Sequence, residues 1–154
     1  MDGQLTQIIN SAIITLSPKS LSDQRQLASN TLESLSSTTT PTTALDVYIN
    51  LLHVLFFTDA IGHCIKSSNN TNNVSSTGVT LLFLSMLHNQ CRRMESKSKN
   101  CENELVLRNL LDKVYLCLNN CNDTSIQSHL CSVTAAGKFY LMVNVVNVSI
   151  SNLI

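Results

Sequence analysis

The residues best suited to chemistry are three thiols and an imidazole in the last third of the chain. Cys117 and Cys121 are spaced by one turn of a helix, and His129 and Cys131 follow them. Thiolate and imidazole groups in this number are the ligands of structural zinc sites. The spacing matches no finger or ribbon pattern, because Cys131 follows His129 by only two residues. We therefore interpret these side chains as buried groups on helix faces, and we predict no metal ion and no cofactor.

The four histidines do not form a catalytic or metal-binding set. His53 and His63 are ten residues apart on one predicted helix, which separates them by about 15 Å along its axis and turns them about 80° from each other. His88 and His129 belong to other predicted helices. We interpret each of them as a histidine of the core or its boundary.

An acidic residue interrupts the most apolar stretch, residues 44–65. We interpret Asp59 as facing solvent; pairing with Lys66 and a role as a functional acid are the alternatives. The sequence has no GxSxG, no HExxH and no glycine-rich phosphate loop, and it contains only four glycines. We therefore predict that the protein is not an enzyme, with no catalytic residues and no small-molecule substrate.

The composition excludes several classes of protein. The net charge is zero, and 13% of the residues are charged, against about 25% in a typical domain. A strongly basic nucleic-acid binder and a polyanion are both excluded. The basic segment 92–99 (RRMESKSK) contains no aromatic residue. We interpret it as a solvated loop that complements a helix end, and we do not expect nucleic acid as a partner.

Six cysteines and four glycosylation sequons leave two compartments open. The sequons begin at Asn69, Asn73, Asn122 and Asn147. The chain begins with an acidic segment and no signal-like sequence, so we expect reduced thiols and a cytoplasmic or nuclear location. The alternative is a secreted or viral helical-bundle effector, stabilised by disulfides and glycosylated.

The stretch 44–65 is long enough to cross a bilayer. It nevertheless contains Asp46, His53, Asp59 and His63, and charged groups within a membrane are costly. We therefore predict a helix buried in a protein core and no membrane partner.

Apolar periodicity predicts a single all-α domain over residues 1–154. The spacing indicates three helical hairpins and a terminal helix, over residues 4–35, 44–94, 101–136 and 139–154. Polar linkers separate them at 36–43 and 67–77 and are expected to be flexible. The predicted inward positions at the two ends of the chain are Leu5, Ile8, Ile9, Ala12, Ile13, Leu16, Leu21, Gln24, Leu27, Ala28, Thr31, Leu32, Leu35, Phe139, Met142, Val143, Val146, Ile150 and Leu153.

The expected helix ends follow from local chemistry. Ser17-Pro18 ends the first helix, because proline disfavours helical backbone at the preceding residue. Gly137 occupies the position that commonly ends a helix, so we expect one helix to end at 136. For 139–154 the valine and isoleucine content favours a strand, but the spacing of Asn144, Asn147 and Ser151 favours a helix, and we predict a helix.

The first predicted hairpin carries a family resemblance. Residues 12–18 (AIITLSP), followed by 23–28 (DQRQLA) and 32–35 (LESL), resemble the opening HEAT-type hairpin of importin-β-type transport receptors and related armadillo-like proteins. The resemblance implies an armadillo-like helical scaffold without an active site.

The order of hairpins and linkers outlines a fold and a function. It is typical of a short HEAT or armadillo-like solenoid, or of an irregular helical bundle of about 6–7 helices. We predict a non-enzymatic scaffold or adaptor that binds a protein partner through an extended helical surface. Residues 147–154 are apolar at intervals without a polar cap. We therefore expect a protein partner, self-association, or a place within a longer repeat protein.

Overall fold

The computed structural model describes residues 3–37, 41–67, 74–94 and 101–153. These residues form seven α-helices and no strand, which confirms the all-α class. In chain order the helices are α1 (Gly3–Leu16), α2 (Ser22–Ser37), α3 (Pro41–Phe57), α4 (Ala60–Ser67), α5 (Ser76–Arg93), α6 (Cys101–Asn119) and α7 (Thr124–Leu153).

The first two helices form the predicted hairpin around a tightly bonded turn. The Ser17 amide donates to the Ile13 carbonyl at 3.0 Å, which closes α1. The Ser20 hydroxyl donates to the Ile14 carbonyl at 2.8 Å, and Arg25 Nη2 donates to the Ser17 carbonyl at 2.6 Å. The turn therefore satisfies carbonyl groups that the end of a helix leaves without partners.

The inward face of α2 is narrower than predicted. Ala28, Leu32 and Leu35 are buried, whereas Leu21 and Leu27 are 68% and 70% exposed. Leu21 precedes the first residue of α2, and Leu27 lies about 100° around the helix from Ala28. On α1, Leu5, Ile8, Ile9, Ala12 and Ile13 are buried as predicted, but Leu16 is exposed.

The apolar stretch 44–65 forms parts of two helices, so the prediction of one helix over this stretch is wrong. Helix α3 begins at Pro41, a residue whose fixed φ suits the first position of a helix. The Thr58 hydroxyl donates to the Val54 carbonyl at 2.6 Å and accepts from the Ala60 amide at 3.3 Å. Thr58 therefore closes α3 and opens α4.

The break at Thr58 bears on membrane crossing. Within the described ranges, no single helix is long and apolar enough to span a bilayer. Residues 43–57 and α4 meet the length and composition requirement only together, and they are bent by 85° at the break.

Helices distant in sequence pair side by side. Lys113 Nζ of α6 donates to His53 Nδ1 of α3 at 3.0 Å, and Asn120, just after α6, donates to the Phe56 carbonyl at 2.9 Å. The late part of α3 therefore meets the late part of α6, and the two helices run parallel. Helices α5 and α7 are also neighbours, with Thr80 near Ile126 and His88 near Ser132.

A single core joins these pairs. Every described helix contributes to one buried cluster, and the helices α1, α3, α5, α6 and α7 supply its largest fully buried side chains. These are Ile9, Ile13, Leu45, Tyr48, Leu51, Leu52, Phe83, Leu84, Leu87, Leu107, Leu110 and Leu130.

The last helix is continuous, so the predicted helix end near Gly137 is wrong. A Cβ atom at position 137 would lie 2.8 Å from Leu111 Cδ2, closer than real Cβ contacts. Gly137 is thus a point of close approach between α7 and α6. The helical backbone through Leu153 agrees with the prediction of a helix, and not a strand, for the last segment.

Both predicted linkers are partly helical. Helix α2 continues to Ser37 and α3 starts at Pro41, so residues 38–40 of the first linker lie outside the described residues. In the second linker, residues 68–73 lie outside them, so the predicted flexibility concerns residues that the structure does not describe. Ser75 ends this linker as the N-cap of α5, where its hydroxyl accepts from the Gly78 amide at 3.0 Å.

Candidate functional site

A polar cleft of about 530 Å³ lies where the α3–α4 bend meets the start of α5 and the α6–α7 loop. Asp59, His63 and Lys66 line one side of it, and Cys121 and Asp123 line the other. Asp59 is exposed at the bend, which agrees with the solvent-facing interpretation.

The polar groups of the cleft serve the backbone around it. Asp123 Oδ1 accepts from the amides of Ser125 and Ile126, at 2.9 and 3.1 Å. Gln127 donates to the Cys121 carbonyl at 2.7 Å. These bonds cap α7 and fix the loop before it. In the described part of the chain, no hydrogen bond joins a nucleophile to a base in this cleft.

The predicted zinc candidates do not converge. Cys117 is buried in α6, Cys131 is exposed on α7, and His129 Nδ1 contacts the Ser125 carbonyl of its own helix at 2.9 Å. Nowhere in residues 3–37, 41–67, 74–94 and 101–153 do three or more His, Cys, Asp or Glu side chains form a group that could hold a metal ion.

The described cysteines are free thiols, and three of them are buried. Burial raises the pKa of Cys91 to about 12 and also raises the pKa of Cys64. Burial raises the pKa of Cys117 to about 12 as well; Lys113 opposes this shift and Cys121 adds to it. At neutral pH these thiols are protonated and therefore weak nucleophiles.

The histidines occupy separate places in the structure. The His53 ring stacks on Phe57 with centroids 5.6 Å apart, and Lys113 Nζ lies 4.8 Å from the Phe57 centroid. His63 lines the polar cleft, and His88 of α5 lines a groove that α5 forms with α7. The structure therefore does not bring the four rings together, and His53 serves the contact between α3 and α6.

The basic segment is described only at its start. Arg92 and Arg93 are exposed in the last turn of α5, where positive charge interacts favourably with the helix dipole. The predicted loop at residues 95–99 lies outside the described residues.

The outward faces of α6 and α7 carry large apolar side chains. On α6 these are Leu105, Tyr115 and Leu116. On α7, Phe139 and Met142 are 53% and 65% exposed, so their predicted inward orientation is wrong. Tyr140 is buried instead, because it continues the buried stripe of Leu130 and Val133.

Sequence reasoning missed the α6 residues, although the sequence carried a signal for them. The apolar periodicity of this segment predicts an inward stripe of Leu107, Leu110, Leu111, Val114 and Leu118. Leu105 and Leu116 are eleven residues apart, which places them on one side of a helix. That side is about 120–140° from Leu111. Apolar residues off the core stripe were therefore visible in the spacing alone.

A smaller groove of about 310 Å³ lies between α5 and α7. His88 and Arg92 line it from α5, and four residues line it from α7. Those four are Ser132, Ala135, Ala136 and Phe139. The groove therefore combines an apolar floor with basic side chains at one edge.

Comparison with known proteins gives no relative. No protein family model, no curated protein and no solved structure matches the chain significantly.

Proposed function

We propose that the chain is a non-enzymatic α-helical scaffold or adaptor that binds a protein partner through an extended helical surface. The observation that carries this proposal is the neighbouring pair Phe139 and Met142 exposed on α7, together with the exposed apolar side chains of α6, among them Leu116. Grouped exposed apolar surface is typical of protein interaction sites. The surface serves the chain alone or as a segment of a longer helical-repeat protein.

The helix pairing supports a HEAT or armadillo-like arrangement for this scaffold. When helical hairpins stack, the first helices of successive hairpins lie side by side, and so do the second helices. The contacts of α3 with α6 and of α5 with α7 follow this scheme, whereas α1, beyond its own hairpin, packs on α4 and α5 rather than on α3. The short helix α4 is an addition to it, inserted between the two helices of the middle hairpin.

The state of the polar groups supports a binding role over catalysis. The polar cleft at the α3–α4 bend uses its Asp123 carboxylate and the Cys121 carbonyl to hold the α6–α7 connection. The free thiols at Cys64, Cys91 and Cys117 are compatible with a reducing compartment. We accordingly propose a cytoplasmic or nuclear location.

Partner capture with matched surface variants tests the proposal. The test variant replaces Leu116, Phe139 and Met142 with serine, and the control variant replaces the more exposed Leu21 and Leu27 with serine. We expect the control to retain the partners of the unmodified chain and the test variant to lose them, with equal helical content by circular dichroism. Retention of every partner by the test variant would contradict the proposed surface.

A secreted or viral effector stabilised by disulfides is the second candidate function. The exposed position of Asn122, a sequon residue in the α6–α7 loop, is the observation that favours it. Thiol titration of freshly purified, denatured protein separates the two. Six free thiols, equal to the cysteine count, would support the scaffold proposal, and two or three disulfides would support the effector.

A further inference from the structure

The groove between α5 and α7 is a shallow, open depression in the surface. Its α7 floor is built from the small residues Ser132, Ala135 and Ala136, and Phe139 forms one wall. The volume of about 310 Å³ is at the lower end of ligand pockets. Met142 lies one helical turn beyond Phe139 and is exposed. The apolar strip formed by Phe139 and Met142 therefore continues along α7 past the groove.

Positive charge borders this strip on both sides. His88 and Arg92 of α5 form one edge of the groove, where Arg92 supplies the positive charge. On the other side, Lys138 is exposed and lies about 100° around α7 from Phe139. None of the six residues that line the groove is acidic. Complementary charge on a ligand would therefore be negative on both flanks of an apolar centre.

The polar atoms of the groove favour a peptide over a small anion. The Ser132 hydroxyl donates to the Ser128 carbonyl at 3.1 Å, so its proton is already used within α7. The floor offers apolar contact, and the basic groups lie at the edges. An amphipathic helix with apolar residues at i, i+3, i+4 and i+7 fits such a groove.

The same charges argue against a second copy of this chain as the occupant. Two copies that met through this face would bring the positively charged Arg92 and Lys138 side chains of both copies into one interface. Like charges placed opposite each other across an interface are unfavourable. A partner with acidic residues beside its apolar stripe would interact favourably with these positive charges, whereas a second copy would interact unfavourably.

We propose that the α5–α7 groove binds an acidic amphipathic helix of a partner protein, with one large apolar side chain of that helix seated between Arg92 and Phe139. The inference rests on the proposed function, because it names the class of partner that the scaffold would bind.

Fluorescence anisotropy with three labelled peptides of about five helical turns tests the inference. The first peptide has a leucine stripe flanked by glutamates, the second has the same stripe flanked by lysines, and the third has the glutamates with the stripe changed to serine. We expect the unmodified chain to bind the first peptide at least about tenfold more tightly than the other two, and less tightly as salt increases.

Variants locate the binding. Each of three substitutions should weaken binding of the first peptide by about tenfold: Arg92→Glu, Lys138→Glu and Phe139→Ala. The matched controls Lys19→Glu and Leu27→Ala change an exposed lysine and an exposed leucine elsewhere, and they should bind as the unmodified chain does. Circular dichroism and thermal unfolding exclude loss of the fold, and Lys138→Glu provides a surface variant remote from the core.

Three results would overturn the inference. The first is tighter binding of the lysine-flanked peptide, and the second is unchanged binding by both Arg92→Glu and Phe139→Ala. The third is a concentration-dependent dimer abolished by Phe139→Ala, which would assign the face to a second copy. The scaffold proposal is judged separately by the serine variants of Leu116, Phe139 and Met142, so the two failures are distinguishable.

Discussion

Two residues determine how α7 starts and how closely it approaches α6. The Asp123 carboxylate accepts two amide protons in the first turn of α7. Gly137 then leaves room for Leu111, whose Cδ2 atom would be 2.8 Å from an added Cβ. Gly137, which the sequence suggests as a helix end, therefore serves contact between helices, because a missing Cβ permits both.

Removing the cap of α7 should destabilise the fold. We expect Asp123→Ala to lower the free energy of unfolding by about 1 kcal/mol, because two amides lose their acceptor. Asp123→Asn retains an acceptor oxygen and should lose only a fraction of that amount. Urea unfolding of the two variants measures the difference, and equal losses would contradict the capping role.

Two of the helical glycines, Gly62 and Gly137, should respond differently to alanine. At Gly62 an added Cβ meets nothing within 4 Å, so Gly62→Ala should stabilise the protein by up to about 1 kcal/mol through helix propensity. At Gly137 the same gain is offset by the displacement of Leu111, so Gly137→Ala should bring no net stabilisation. Thermal unfolding checks this, and an equal gain at both sites would show that α6 and α7 are not in close contact there.

At the scale of helices, periodicity predicted elements better than their ends or their faces. Five of the six positions predicted to face inward on α1 are buried. The prediction succeeds because the apolar residues from Leu5 to Ile13 lie on one side of the helix. Residues 44–65 are apolar on most sides of α3 and α4. Their apolar spacing therefore does not change at Thr58, and it cannot show where one helix ends and the next begins. The outward positions of Phe139 and Met142 were missed for another reason. Helix α7 has apolar residues on two sides, and the helices that pack against it determine which side is buried.

The candidate site was still less predictable. The groove depends on α5 lying beside α7, and only packing brings His88 and Arg92 next to Phe139. The sequence indicated the exposure of Arg92, since it ends a helix, but it contained no signal for the partner helix. Contacts between residues more than forty positions apart are set by the whole core.

The buried thiols on the inner faces of α5 and α6 should make stability fall at alkaline pH. Burial raises the pKa of Cys91 and Cys117 from 9.0 to about 12. In the folded protein these protons are retained, whereas the unfolded chain releases them above pH 9. The stabilisation is therefore complete below pH 9 and is lost progressively between pH 9 and about 12.

Urea unfolding at neutral pH and at about pH 10 measures this loss. Each thiol should remove up to about 1.4 kcal/mol per pH unit in that window. The variant Cys91→Val lacks one of the two thiols with the largest shifts, so it should show a clearly smaller pH dependence. A variant with an undiminished slope would mean that other groups are responsible.

Because the whole molecule shares one core, its cysteines should fall into two classes, those accessible to reagents in the folded protein and those protected by the core. Cys131 is exposed, whereas Cys64, Cys91 and Cys117 lie within the common cluster of buried side chains. The protected thiols become accessible only when that cluster opens.

Timed alkylation with iodoacetamide and mass spectrometry of the peptides should show this division. We expect Cys131 to react in the folded protein and the other three to react at the rate of opening, with acceleration in urea. Labelling of Cys91 as fast as Cys131 in the folded protein would contradict a single cooperative core.

The parallel pairing of α3 with α6 also has a consequence for synthesis on the ribosome. Lys113 and His53 are 60 positions apart, so at 5–20 residues per second α3 waits roughly 3–12 s for the helix that covers it. The hairpin of α1 and α2 needs no such delay, because its two helices are neighbours. During that interval the apolar surface of α3 is a natural substrate for chaperones. Slowing translation between the codons for α4 and α6 should therefore increase aggregation of the nascent chain.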